Sequence, residues 1–160
     1  MTVQPGDALP SLTLAEATPD GPKEVATDDL FRGRTVVLFG LPGAFTPTCS
    51  ARHLPGFVDN AAAFAAKGVD TLACLAVNDA FVLQAWAGAQ DPDGAIRMLA
   101  DGSGALTRAL GLELDLSARS MGVRCQRFVM IARDGRVEHL AVEAPGAFDV
   151  SSAESVLALL

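Results

Sequence analysis

The chain has 160 residues, half of them hydrophobic, which predicts a single globular domain over residues 1–160 with a full core. Its formal net charge of −7 argues against nucleic acid as a partner, because phosphate binding needs a basic surface. The sequence has neither an apolar run of transmembrane length nor the features of a signal peptide at its start. These features predict a cytoplasmic protein without a membrane anchor.

Turn residues and apolar runs predict the first half of the chain as a hairpin followed by strands and helices. The hairpin surrounds the turn sequence ATPDGP, and the apolar run TVVLFG then predicts a buried strand. A long helix is expected from about Thr48 to Lys67, kinked at Pro55 and stopped by Gly68. VDTLACLAV predicts a second buried strand. These elements place a loop, LPGAFTPTCS, at the carboxyl end of the first buried strand.

The second half continues this alternation and ends with antiparallel strands. Asn78 and Asp79 are predicted to cap a helix over AFVLQAWAGAQ, which is followed by the strand IRMLAD and the short helix SGALTRALG. RFVMIAR and RVEHLAVE flank Asp-Gly and predict a hairpin, and Ser151 with Glu154 forms a capping-box pattern for a last helix. The whole order predicts a three-layer α/β/α sandwich with a mixed central sheet and an N-terminal hairpin extension.

The three cysteines do not fit a disulfide framework or a metal site. Their number is odd, no C-x-x-C occurs, and His53 and His139 do not have zinc-ligand spacing with them. A catalytic thiol, a redox partner and a buried small side chain remain as interpretations.

Cys49 has the surroundings of a reactive thiol. It lies in the first turn of the predicted long helix, where free N–H groups and the helix dipole stabilise a thiolate. Thr46 can place its hydroxyl beside the sulfur, as a donor to the thiolate and to a bound substrate oxygen. Pro42 and Pro47 stiffen the loop, and Gly43 allows close backbone approach. A plain core position would not need this loop chemistry, so the interpretation of Cys49 as a buried apolar residue is disfavoured.

A thiolate without a histidine base in its own motif suits attack on a weak, polarised bond, such as the O–O bond of a peroxide. The product at sulfur is a sulfenic acid. A cation is needed to hold the thiolate and polarise the peroxide. Arg127, at the start of RFVMIAR, is the first candidate and Arg124 the second.

PGAFTPTCS, followed by HLPGF, resembles the active-site signature of the peroxiredoxins, in particular their type II branch. The P-x-x-x-T-x-x-C pattern is met in full, and the resemblance extends over nearly the whole chain through GDALPSLTL, ACLAVNDAFV, LADGSGA and RFVMIARDGRV. It implies a thioredoxin-like fold and cofactor-free reduction of hydrogen peroxide and organic hydroperoxides, in antioxidant defence and redox homeostasis.

The resemblance also implies roles for individual residues. Cys49 corresponds to the peroxidatic cysteine, Thr46 to the hydroxyl that binds peroxide, Pro42 to the shield over the thiolate and Arg127 to the activating arginine. Four further residues are expected to contribute to the peroxide site: Gly43, Thr48, Leu116 and Met121.

How the sulfenic acid is reduced is left open by the sequence. Some type II members have a resolving cysteine near the C-terminus, but here that region reads APGAFDVSSAES. Cys74 follows Cys49 by 25 positions, as in plant type II members, but its apolar strand favours a core thiol. Cys125 is expected to be exposed and non-catalytic. One-cysteine turnover with glutathione, glutaredoxin or thioredoxin is favoured over a two-cysteine cycle through Cys74.

Several other residues have simple structural interpretations. His53 is expected to pack against the loop, with electrostatic tuning of Cys49 as the alternative, and Trp86 is expected in the core. Phe45 and Phe81 are expected around the site or at a subunit contact, and the resemblance implies a homodimer.

Three other functions compete with a peroxidase. A thiol-disulfide oxidoreductase is disfavoured because Thr46 stands where a C-x-x-C motif would have its first thiol. A non-enzymatic binding module is disfavoured by the intact motif, and a thiol hydrolase would need His53 or His139 as a base.

Overall fold

The computed structural model describes residues 1–160 and contains nine strands, seven of which form the central sheet. The strands are β1 (Thr13–Thr18), β2 (Gly21–Ala26), β3 (Thr35–Gly40), β4 (Thr71–Ala76), β5 (Arg97–Ala100), β6 (Glu113–Asp115), β7 (Val123–Cys125), β8 (Phe128–Arg133) and β9 (Arg136–Val142). The central sheet has the order β2-β1-β5-β4-β3-β8-β9, and β6 pairs with β7 in a separate hairpin. Strands β3, β4 and β5 are parallel and their flanking neighbours are antiparallel, so the sheet is mixed.

Helices cover both faces of this sheet. They are α1 (Thr27–Phe31), α2 (Leu54–Asp59), α3 (Ala61–Ala66), α4 (Ala80–Gln90), α5 (Ala105–Leu110) and α6 (Ala153–Leu157). One apolar cluster of 22 buried residues joins the sheet to α2, α3, α4 and α6, and a second of 17 joins it to α1 and α5. Alternate residues of β3 point to opposite clusters, as the period of a strand requires. The predicted three-layer sandwich, its N-terminal hairpin and the buried position of Trp86 are confirmed.

The segment predicted as one long helix is helical from Pro47 to Ala66 except at Asn60, with a change of geometry near its start. A π-helical turn spans Cys49–His53 and α2 begins directly after it, with Pro55 in its first turn. Asn60 leaves helical geometry between α2 and α3, and its side-chain amide donates to the Gly56 carbonyl. The π geometry lies where Pro55, which cannot donate a backbone hydrogen bond, enters the helix, as expected for a proline inside a helical run. Cys49 lies in the first turn of this run, which begins at Pro47, so its predicted position at a helix start is confirmed.

Two predicted caps differ from the structure. Asp79 accepts from the Val82 N–H at the start of α4, as predicted. The Asn78 side chain does not cap this helix and accepts from the Ala44 N–H instead. Ser152, and not Ser151, accepts from the Ser155 N–H at the start of α6. The predicted capping box is therefore wrong by one residue, because the Ser151 hydroxyl bonds to a buried carboxylate instead.

The antiparallel pairing of β3 with β8 fixes the position of the site. Gly40, the last residue of β3, pairs with Phe128, the first residue of β8. The loop that follows β3 and the residue that precedes β8 therefore meet at one edge of the sheet.

The longest helix, α4, has 11 residues, and none of the helices combines the length and apolar character that spanning a bilayer requires.

Candidate active site

Cys49 and Arg127 are in direct contact at this edge of the sheet. Nη2 of Arg127 lies 3.2 Å from Sγ of Cys49, which has no solvent exposure. The strand register explains the contact, because Arg127 immediately precedes β8 and the Cys49 loop leaves the paired end of β3. A guanidinium is always charged and points its N–H groups at an anion. The pair is thus built to stabilise a thiolate.

His53 holds the other side of the Arg127 guanidinium. Nη1 of Arg127 lies 2.9 Å from Nδ1 of His53, and Nε2 of His53 lies 3.0 Å from the Ser151 carbonyl oxygen. A carbonyl only accepts and a guanidinium only donates, so Nε2 carries the proton and Nδ1 accepts. Burial and the charge of Arg127 lower the pKa of His53 to about 3, which keeps the ring neutral. Its lone pair is occupied by Arg127, so His53 is not available as a base for Cys49.

Aromatic rings close the space around this chain of contacts. The Phe148 ring meets His53 edge-on, with the two ring centroids 5.2 Å apart. The guanidinium carbons of Arg52 and Arg127 lie 4.6 and 5.9 Å from the centre of the same ring. Apolar walls lower the local dielectric and strengthen the interaction between Arg127 and a thiolate.

Thr46 already has its hydroxyl proton committed. Its Oγ1 donates to the Gly43 carbonyl at 2.7 Å, and its own carbonyl accepts from the Ser50 N–H. The free lone pairs of Oγ1 can therefore accept a hydrogen bond from a ligand hydroxyl. The expected donation from Thr46 to the sulfur is therefore wrong, because the Gly43 carbonyl takes the hydroxyl proton.

Arg124 bonds to the loop backbone and not to the sulfur. It donates through Nη1 to the Pro42 carbonyl at 3.3 Å and through Nε to the Met121 carbonyl at 2.8 Å. A Cβ at position 43 would lie 2.6 Å from Nη1 of Arg124, so Gly43 is what allows this approach. Arg127 is thus the cation at the thiol, and Arg124 ties the β6–β7 hairpin to the loop.

Two residues of the neighbouring elements fix the rest of the loop. Oδ1 of Asn78 accepts from the Ala44 N–H at 2.9 Å, which is why this residue does not cap α4. Trp86 donates from Nε1 to the hydroxyl of Ser50, the residue after Cys49, at 3.0 Å. The loop is therefore held from β8, from the β6–β7 hairpin and from α4.

Leu116 and Met121 lie in the connection between β6 and β7. They are half-buried, and the Met121 N–H donates to the Leu116 carbonyl at 3.2 Å. Arg124 connects this segment to the loop, because it donates to the carbonyls of both Met121 and Pro42. The role of Leu116 and Met121 as pocket walls stays a prediction. Thr48 is the half-buried residue just before the π-helical turn, with right-handed helical backbone angles.

Comparison with known proteins identifies the family. The family model described as Redoxin matches residues 4–157. Peroxiredoxin-2E-2, chloroplastic, from Oryza sativa subsp. japonica is 51% identical over 166 residues, covering 99% of this chain and 73% of that protein. The chain belongs to the peroxiredoxin family. It is a thiol-dependent peroxidase with an antioxidant function, and the type II branch fits its similarity to the plant peroxiredoxin-2 proteins.

Two further peroxiredoxins match over almost their full lengths. Peroxiredoxin-2C from Oryza sativa subsp. japonica is 45% identical, covering 97% of this chain and 96% of that protein. The crystal structure of reduced Prx3 from Vibrio vulnificus in complex with hydrogen peroxide superposes with a TM-score of 0.93 at 47% identity, covering 99% and 96% of the two chains. These matches confirm the thioredoxin-like peroxiredoxin fold.

The other two thiols of this peroxiredoxin are buried. Cys74 is in the middle of β4, where burial and then the nearby Cys49 charge raise its pKa. Cys125 was expected to be exposed, and this is wrong: it ends β7 with no solvent exposure, and burial raises its pKa to about 12. The short β6–β7 hairpin, which the sequence did not predict, packs Cys125 against the second apolar cluster. Neither side chain is exposed to a reagent in the folded state.

Three residues at the site were not recognised from the sequence. Glu143, Phe148 and Ser151 all lie after β9 and reach the site through the loop that precedes α6. The local sequence contains no signal for them, since GAFDVSS has the composition of an ordinary loop before a helix cap. Their partners are also distant in the sequence.

The neutral state of His53 predicts that acid destabilises the fold. The pKa of His53 falls from 6.5 to about 3 on folding, so below pH 6.5 the unfolded chain binds a proton that the folded chain does not. The contribution of the neutral ring is complete above about pH 6.5 and declines as the pH falls towards about 3. Between about pH 7 and 5, urea unfolding should show a loss about 2 kcal/mol larger for the native protein than for His53→Gln. Equal losses for the two proteins would contradict a buried neutral ring.

Proposed function

We propose that this peroxiredoxin reduces hydrogen peroxide and organic hydroperoxides at Cys49, with Arg127 as the cation that holds the sulfur as a thiolate. The contact of 3.2 Å between Nη2 of Arg127 and Sγ of Cys49 is the observation that carries this assignment. The remaining N–H groups of the guanidinium can bond to a peroxide oxygen that approaches the sulfur.

The reaction is a two-electron transfer from sulfur to the peroxide. The Cys49 thiolate attacks the protonated oxygen of R–O–O–H, the S–O bond forms and the O–O bond breaks. Sulfur is oxidised to the sulfenic acid Cys–S–OH, and the leaving R–O⁻ takes a proton from water to give an alcohol, or water when the substrate is hydrogen peroxide. Arg127 stabilises the negative charge as it moves from sulfur to the leaving oxygen.

Thr46 supports the binding of the peroxide in this proposal. Because its own proton bonds to the Gly43 carbonyl, its oxygen accepts the O–H of the peroxide and orients the attacked oxygen towards sulfur. The backbone N–H groups of Thr48 and Cys49 are the proposed donors to the peroxide, and Pro42 shields the thiolate from water. The half-buried Leu116 and Met121 are proposed to face the alkyl group of larger hydroperoxides.

The proposal is tested by locating the oxidised sulfur. The reduced protein is treated with one equivalent of peroxide in the presence of dimedone, which traps sulfenic acids, and the labelled peptide is identified by mass spectrometry. We expect one label on the peptide that contains Cys49. A label on Cys74 or Cys125, or no label while peroxide is consumed, would overturn the assignment.

An external thiol is proposed to reduce the sulfenic acid. The thiol displaces water from Cys–S–OH to form a mixed disulfide, and a second thiol then releases Cys49. Glutathione, glutaredoxin or thioredoxin has this chemistry. The predicted cytoplasmic location agrees with it, since these reductants keep cytosolic thiols reduced. The sulfur of Cys49 is buried, so the loop must open locally before a bulky reductant can reach it.

The proposed one-cysteine cycle predicts that Cys74 is dispensable. Its side chain is buried in the central strand β4, and folding raises its pKa, both of which oppose attack on Cys49. Cys74→Ala should keep turnover within about threefold of native, measured as peroxide-dependent NADPH consumption with glutathione and glutaredoxin and, separately, with thioredoxin. Cys125→Ala is the matched control. A loss of turnover confined to Cys74→Ala, with a Cys49–Cys74 disulfide in the native protein, would establish the two-cysteine cycle instead.

We further propose that a second copy of the chain covers an apolar surface next to the site. Phe45 and Phe81 are 60% and 73% exposed, and the bond between Ala44 and Asn78 brings their segments together. Phe45 also has a positive φ of 64°, a strained backbone conformation of the kind that clusters at functional sites. Two such rings on each protomer fit a self-complementary, two-fold contact.

The dimer is tested by the mass of the protein in solution. Light scattering should show a native dimer, and Phe45→Arg with Phe81→Arg should shift it to the monomer because charges would be buried at the contact. Leu159→Arg, at the exposed C-terminus, is the matched control and should leave the dimer intact. A native monomer at tens of micromolar would contradict the proposal.

A further inference from the structure

A buried carboxylate lies behind the site on the side opposite the sulfur. Glu143 follows β9 directly and is 7% exposed. One of its oxygens, Oε2, accepts three hydrogen bonds: from the N–H of Asp149 at 2.7 Å, from the N–H of Ser151 at 2.8 Å and from the hydroxyl of Ser151 at 2.6 Å. These bonds lower the pKa of Glu143 against the opposing effect of its burial. A buried carboxylate bonded in this way fixes the course of the loop from 144 to 152.

That loop ends on the histidine that holds Arg127. The Ser151 carbonyl accepts from Nε2 of His53, whose Nδ1 accepts from Arg127, and the Phe148 ring packs against both. Glu143 also donates from its backbone N–H to the Arg127 carbonyl at 2.9 Å. Two routes, one through backbone and one through side chains, therefore connect Glu143 to Arg127.

The carboxylate is kept away from the guanidinium that it helps to place. No carboxylate lies within salt-bridge distance of Arg127, and the neutral His53 ring separates it from the Glu143 loop. A direct pair would leave the charge of Arg127 partly neutralised before a thiolate or peroxide arrives. By acting through the loop, Glu143 restrains the direction of the guanidinium without neutralising its charge.

We propose that Glu143 is a positioning residue for peroxide reduction, acting through Ser151 and His53 to aim Arg127 at Cys49. The inference rests on the proposed roles of Cys49 and Arg127. A displacement of a charged group by a fraction of an ångström to an ångström costs rate even when the residue responsible never touches substrate. Ser151 and Phe148 belong to the same arrangement.

The test compares two substitutions at position 143. Glu143→Ala removes the acceptor and should lower the second-order rate constant with hydrogen peroxide about tenfold or more. Circular dichroism and thermal unfolding should show that Glu143→Ala is folded under the assay conditions, so that the fall in rate is not a loss of the fold. Glu143→Gln keeps an oxygen acceptor in place and should restore the rate to within about threefold of native.

The controls separate positioning from folding and from the chemistry itself. Glu138→Ala removes a carboxylate from β9, the strand that Glu143 follows, without a link to Arg127, and should react at the native rate. If Glu143→Ala does not fold, Glu143→Asp keeps the charge but is one methylene short of the loop N–H groups and should show the same fall. A folded Glu143→Ala or Glu143→Asp that reacts with hydrogen peroxide at the native rate overturns the inference. If the native protein itself does not react at Cys49, it is the proposed function that fails.

Discussion

Cys49→Ser is expected to lose all measurable reaction with peroxide. A serine hydroxyl stays protonated near neutral pH and has no lone pair that a peroxide oxidises, so neither ionisation by Arg127 nor sulfenic acid formation is available. The reaction can be followed in a stopped-flow instrument through Trp86, the only tryptophan, which bonds to the residue next to Cys49. We expect a fast fluorescence change in the reduced native protein and none in Cys49→Ser.

The loss must be specific to this thiol. Cys74→Ala and Cys125→Ala remove buried sulfurs of the same chain and should keep the fast change. Peroxide consumption, measured in parallel, excludes a silent reaction elsewhere. If Cys49→Ser consumed peroxide as fast as the native protein, the reacting group would lie outside this loop.

Arg127→Gln is expected to give the second-largest effect, a fall in the second-order rate constant of about 10²- to 10³-fold. Removing one pre-positioned donor from a developing negative charge costs about 2.7–4 kcal/mol in other enzymes. Here the same group also stabilises the thiolate, from 3.2 Å in a buried position. The second-order rate constant with hydrogen peroxide, measured by stopped flow, checks this expectation.

Arg119→Gln provides the matched control. Arg119 lies exposed in the connection between β6 and β7 and changes the net charge equally, without contact with the sulfur. Its rate constant should stay within about twofold of native at physiological salt, because exposed charges at a distance are screened. Equal falls in both variants would mean that general electrostatic attraction, and not the contact with Cys49, determines the rate.

Local patterns in the sequence were sufficient to predict most strands of the sheet. The apolar runs of β3 and β4 and the Asp134–Gly135 turn between β8 and β9 act over a few residues, so their structures follow from composition and turn chemistry. The loop at Cys49 was also recognisable, since its prolines, glycine and threonine are adjacent. Arg127 was selected because it opens the strand RFVMIAR and because the resemblance to peroxiredoxins implies the activating arginine there. Its place beside the end of β3 is seen only in the structure.

The remainder depended on contacts between distant segments. His53 was expected to pack against the loop, and only the structure shows its ring between Arg127 and Ser151, which is 98 positions away. Asn78 fits a helix cap locally, but its side chain is used by the Ala44 N–H. Cys125 was predicted to be exposed because the hairpin that buries it has two strands of only three residues, too short for a recognisable hydrophobic pattern. In each case a partner far along the chain determined the side chain's environment.

The antiparallel placement of β8 against β3 also sets when the thiol acquires its cation during synthesis. Cys49 and Arg127 are 78 positions apart, and β3, β4 and β5 can pair before β8 has been made. A nascent chain that ends before β8 therefore carries the peroxide-binding loop without the guanidinium that stabilises its thiolate. Domains fold as units once their last elements emerge, so the sulfur becomes reactive only when the sheet is nearly complete.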